Sequence, residues 1–207
     1  MMEEIKYPWP NVRRSFSKMR SSQPNSKTCC FVHHAYKYHS QDSEVAAAYM
    51  QCADMAVWAQ KNNPSYSHPD ALFMPIVYLY RHALELSLKS MIRTMHYSGR
   101  INVLPEKELE NHKIMPLWNQ VKPVLKATWP DDDDRPLKYT ESLLNELHTL
   151  DDSGQGFRFT YNKNKKRNSD KYPDVVDLQK LQLAMNEIQT FLSCCEAFYY
   201  EEWQNQE

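Results

Sequence analysis

The sequence predicts an all-α protein: a helical bundle around one central apolar helix, with a single short extended hairpin. Three observations point there. Only three of the 207 residues are glycine (Gly99, Gly154 and Gly156), while Leu, Met, Ala, Gln, Glu and Lys are plentiful, a balance suited to helices whose connections need few positive-φ positions. The stretch from Asp70 to Met95 is the most apolar long segment of the chain. At 3.6 residues per turn, its Leu72, Phe73, Ile76, Leu79, Tyr80, Ala83, Leu84, Leu86, Leu88, Met91 and Met95 cover over half the cylinder, so other elements must surround it. Helical periodicity also recurs in at least four segments.

Taken in order, residues 1–35 read as an irregular arm, with Pro8, Pro10 and Pro24 and the apolar anchors Trp9 and Phe16; residues 36–207 read as one helical domain. A first helix is expected over Ser43–Lys61, with Val45, Ala48, Tyr49, Cys52, Met55, Ala56 and Ala59 inward and Asn62-Asn63-Pro64 as its stop. Asp70 suits the N-cap of the central helix, Pro75 suggests a small kink, and Gly99 can close it. Met115, Trp118, Val121 and Leu125 mark a shorter helix, bent or ended at Pro123. After the acidic turn Asp131–Asp134, Tyr139–Leu150 is helical with Leu143, Leu144, Leu147 and Leu150 inward. Phe157-Arg158-Phe159-Thr160-Tyr161 alternates aromatic and polar residues and reads as the extended segment. Pro173-Asp174 opens a last long helix to about Trp203, with Val175, Leu178, Leu181, Met185, Ile188, Leu192, Cys195 and Tyr199 inward.

A formal net charge of −1 excludes a global basic field, so any nucleic-acid surface must be local. Five cysteines in an odd, non-CxxC pattern, an acid-bearing N-terminus and apolar runs about half the length of a membrane span lead us to expect a reduced, soluble, cytoplasmic protein with no membrane partner. The Cys29-Cys30-Phe31-Val32-His33-His34 cluster lacks a second ligand pair at zinc spacing, so neither metal nor cofactor is expected.

Chemistry enters on the central helix. Arg81, Glu85 and Lys89 lie at i, i+4 and i+8 on one polar stripe, and His82, one step round, can reach Glu85 at i+3. Charges on a largely buried helix must be paired. Two readings stand open: an ion-pair ladder along the one wet edge, or a polar site with an imidazole beside an arginine and a carboxylate. Downstream, Arg158, Lys163, Lys165, Lys166, Arg167 and Lys171 are interleaved with Phe157, Phe159, Tyr161 and Tyr172. Cations among aromatics suit phosphate contacts with base stacking, though a solvated polar loop has the same composition.

Three patterns occur in a recognisable order: YLYRHALELSLK over Tyr78–Lys89, His112-Lys113-Ile114-Met115-Pro116-Leu117-Trp118, and Gly156-Phe157-Arg158-Phe159 before a long closing helix. Together they span 78–192, a little over half the chain, and their order resembles that of the HEPN superfamily of small helical domains. Many members act in bacterial RNA cleavage, toxin–antitoxin pairs and antiphage defence. The resemblance implies a helical bundle, RNA as a partner, a homo-oligomer or protein partner, and a metal-free ribonuclease or toxin-like activity. Catalytic members separate an arginine and a histidine by four to six residues; here Arg81 and His82 are adjacent, and two residues separate Arg93 from His96.

Metal-free RNA cleavage needs a base for the 2′-hydroxyl, an acid for the leaving oxygen and a cation for the phosphorane charge. His82 or His112 can move the proton, Arg81 can hold the charge, and Glu85 completes the candidate catalytic set. The alternative is a non-catalytic helical subunit of a larger assembly, its ion pairs serving structure.

Overall fold

The computed structural model describes residues 42–62, 69–162 and 164–206. The expected N-terminal arm, the Cys29–His34 cluster and Lys163 lie outside them. Helices carry most of the described residues, which contain no β-strand. No helix among them is long and apolar enough to cross a membrane.

Helix α1 spans Asp42–Asn62 and α2 spans Phe73–Tyr97, entered through a 3-10 turn, Pro69–Leu72. Then come the short α3 (Glu106–Glu110), α4 (Ile114–Thr128), α5 (Arg135–Leu150) and α6 (Leu178–Gln204). Helix α2 packs against α1, α4 and α6. Its Ile76, Tyr80, Ala83, Leu84, Leu88, Met91, Ile92 and Met95 are fully buried and share a core with Trp118, Leu144 and Tyr199 from α4, α5 and α6. Polar pins cross the same interfaces. The Tyr80 hydroxyl donates to Asp54 Oδ1 at 2.6 Å, and Asn186 Nδ2 lies 3.2 Å from both Asp54 oxygens, so one carboxylate joins α1, α2 and α6.

Several expectations need correction. The buried face of α1 is Ala46, Met50, Ala53 and Val57, rotated from the expected stripe; Val45, Cys52 and Met55 face outward, as does Trp58. Helix α2 begins at Phe73 with Leu72 at its N-cap, not Asp70. Pro75 therefore sits in the first turn, where its missing N–H removes no intrahelical bond and no kink is required. Helix α4 runs through Pro123 to Thr128; the carbonyl deprived of its partner belongs to Asn119, an exposed residue that water can serve. Helix α5 starts at Arg135, before the expected Tyr139, with Pro136 in its first turn. Asp177, rather than Pro173-Asp174, opens α6, accepting from the backbone N–H of Gln179 and Lys180, and Val175 is left exposed. The segment expected to be extended contains a turn at Gly156–Arg158, and its sheet-like pairing is one isolated antiparallel bridge, Tyr161 to Arg167.

Candidate functional site

The polar stripe of α2 ends in a buried network. Arg81 is 1% exposed and has no water to serve its five N–H donors, so protein acceptors must. Its Nη2 donates to the His112 carbonyl at 2.7 Å, its Nε to the Asp151 carbonyl at 3.3 Å, and its Nη1 to Glu85 Oε2 at 3.4 Å. Nε also lies 3.5 Å from Asp151 Oδ2. One guanidinium thus joins α2 to the entrance of α4 and the exit of α5.

The segment 151–156 is shaped to this guanidinium. Asp151 Oδ1 accepts from the Gln155 N–H at 3.0 Å and from Ser153 Oγ at 3.4 Å, folding the chain back over its own side chain. Gly154 then takes φ +75°, and a Cβ there would lie 2.8 Å from Arg81 Nη1 and 3.1 Å from the His112 Cβ. Only glycine meets both demands.

Glu85 holds the other end. It is 2% exposed, and its Oε1 accepts from Lys89 Nζ at 2.9 Å and lies 2.9 Å from His112 Nδ1. Burial pushes the Glu85 carboxyl up, but the hydrogen bonds and charges of Lys89 and His112 outweigh it and hold the group below its ordinary range. Against an ionised carboxylate, Nδ1 carries the imidazole proton. The His112 side chain is 60% exposed, so Nε2 is the ring nitrogen left for a group arriving from solvent.

His82 belongs elsewhere. Its ring stacks on Tyr78 at 5.7 Å and meets the edge of Tyr49 at 4.6 Å. Burial holds its pKa below the ordinary value and favours the neutral ring. The expected hydrogen bond to Glu85 is not made; among the described residues that carboxylate is taken by Arg81, Lys89 and His112.

Beside this network lies the basic loop. The Arg158 guanidinium sits 5.7 Å from the Tyr78 ring and 5.5 Å from the Phe159 ring. The Tyr161–Arg167 bridge closes a tight tip: the Asn162 N–H donates to the Lys166 carbonyl, Asn162 Oδ1 accepts from the N–H groups of Asn164 and Lys166, and Lys165 takes φ 59°. Lys165, Lys166, Arg167 and Lys171 are exposed. A cavity of about 680 Å³ lies between this tip and the segment 151–156.

The structure therefore brings Arg81, Glu85 and His112 together and sets His82 on a neighbouring face. Lys89 pairs with Glu85 as the i, i+4 spacing suggests, whereas Asp151 and Gly154 were not anticipated as parts of the site. The available signal was the run Asp151-Asp152-Ser153-Gly154-Gln155-Gly156, two glycines in a glycine-poor chain directly after a helix. Among the described residues, no group of three or more His, Cys, Asp or Glu side chains is placed to hold a metal ion. Comparison of the chain with protein-family models, curated proteins and solved structures finds no match.

Proposed function

We propose that the chain is an RNA-directed protein of HEPN type, a ribonuclease or toxin-like effector of the kind used in bacterial defence. In this reading His112 moves the proton and the basic loop holds the substrate. The supporting observation is the His112–Glu85 pair: a buried carboxylate fixes Nδ1 at 2.9 Å while the rest of the ring faces solvent, as a general base requires. His112 Nε2 takes the proton of a 2′-hydroxyl, the freed oxygen attacks the adjacent phosphorus and the P–O5′ bond breaks. The 5′-oxygen takes a proton from water and the imidazolium returns its own to water, giving a 2′,3′-cyclic phosphate and a 5′-hydroxyl.

Arg81 is a positioning residue, because its donors are engaged by Glu85 and two carbonyls. Stabilising the phosphorane charge falls to Arg158 and the loop cations. The proposal takes α2 as the organising helix of the bundle, the Tyr161–Arg167 bridge as its short hairpin, and a homo-oligomer as the working form.

Assaying cleavage of single-stranded RNA beside thermal melting tests these assignments. His112→Ala is expected to abolish cleavage with little change in Tm. Arg81→Ala, which takes the donor from Glu85 Oε2, the Asp151 carboxylate and two carbonyls, should destabilise by about 3–5 kcal/mol. His82→Ala should keep its activity. A stable, fully active His112→Ala protein would sink the catalytic reading.

The second reading, a non-catalytic assembly subunit, is favoured by the outer face of α1. There Met55 and Trp58, neighbours at i and i+3, are 63% and 67% exposed, an apolar pair of the kind partner helices cover. Wild-type protein that leaves RNA intact would decide for it.

A further inference from the structure

Phe159 and Tyr161 are 51% and 53% exposed, two large rings that stand close together in the chain at the surface. They stand two positions apart, and both line the cavity of about 680 Å³ beside the basic loop. Their backbone is held. Asn168, itself buried, donates from Nδ2 to the Phe159 carbonyl at 2.7 Å and from its N–H to the Thr160 carbonyl at 3.0 Å, and Tyr161 pairs with Arg167. Asp152, Gln155, Asn164 and Lys171 also line it.

We propose that this cavity holds one unpaired nucleobase of single-stranded RNA, stacked on Phe159 and Tyr161. The inference deepens the RNA reading above and rests on it. A base offers a flat face to rings and a polar edge to amides and carboxylates, and this lining provides both kinds of surface. Lys171 is placed for the adjoining phosphate, with Lys165, Lys166 and Arg167 further along the strand. A duplex cannot present a base in this way without opening.

Fluorescence anisotropy with a short labelled oligoribonucleotide, its abasic counterpart, a duplex of the same length and polyglutamate provides the test. Wild-type protein should bind the single strand at least about tenfold more tightly than the abasic strand or the duplex, in keeping with one stacked base. Phe159→Ala with Tyr161→Ala should lose that preference while keeping the salt slope. Lys165→Ser, Lys166→Ser and Arg167→Ser together should flatten the slope instead. Equal binding of intact and abasic strands by wild type overturns the base pocket, and needs no variant to fold. If those strands still bind with a steep salt slope, the RNA reading survives that failure. Binding of polyglutamate in preference to RNA, or of neither, overturns both.

Discussion

At the residue scale, the deciding feature is what the Arg81 guanidinium touches. Because Gly154 closes over Nη1, the two positive-φ glycines make a controlled pair. Gly99 takes φ +74° with nothing near its missing Cβ, whereas Gly154 takes φ +75° with Arg81 at 2.8 Å. Gly99→Ala should therefore cost only the backbone strain, about 1 kcal/mol, and Gly154→Ala that strain plus displacement of the guanidinium, about 3 kcal/mol or more. Equal urea midpoints for the two variants would show that the close approach carries no energy. Arg81 and Glu85 were legible in the sequence because charge on an apolar helix demands a partner. His112 was legible only through the motif that carries it, and its pairing with Glu85 in place of His82 was not. Asp151 was not, because Arg81 takes its main-chain oxygen as well as its carboxylate, and a carbonyl is common to every residue.

At the element scale, helix existence followed from periodicity, while faces and ends did not. Helix α1 carries apolar residues on two adjacent arcs, so hydrophobicity alone could not decide which one the core would take. Ala46 and Ala53, fully buried, let α1 lie close against α2. Of the two expectations at Pro123, a bend or an end, the end is excluded, because α4 continues beyond it. The packing of Trp118, Val121 and Leu125 keeps the helix intact across the lost hydrogen bond. It follows that Pro123→Ala, at an exposed position, should stabilise the protein, by up to about 3 kcal/mol. Thermal melting checks this; an unchanged or lower Tm would mean that the proline relieves some other constraint in α4. The basic loop was legible as charge and aromatics, but its rigidity comes from Asn162 and Asn168, whose hydrogen bonds no local pattern announced.

For the whole molecule, the buried charges set the response to pH. The Glu85 pKa is held below its ordinary 4.5, so its stabilisation is present above that value and is lost as pH falls through the lower folded-state pKa. Glu196, raised by burial despite hydrogen bonds from Ser90 and Thr94, acts in the opposite sense: its contribution is present at low pH and is lost as pH rises. Glu85→Gln should thus lower stability near neutrality by roughly 3 kcal/mol and flatten the loss of stability below about pH 4.5. Chemical denaturation across a pH series would show it, and an unaltered acid limb in the variant would assign that limb to other carboxylates.

The two carbonyls that Arg81 grips lie 31 and 70 residues further along the chain. Contacts over such separations are late events in folding, because large loops must close before they form. The α1–α2 pair can associate early, but its guanidinium has no complete set of acceptors until the chain has reached Asp151. During synthesis, the His112 imidazole would emerge well before the clasp that seats its backbone. A nascent chain would therefore carry the parts of the site without its geometry until the turn that begins at Asp151 had been made.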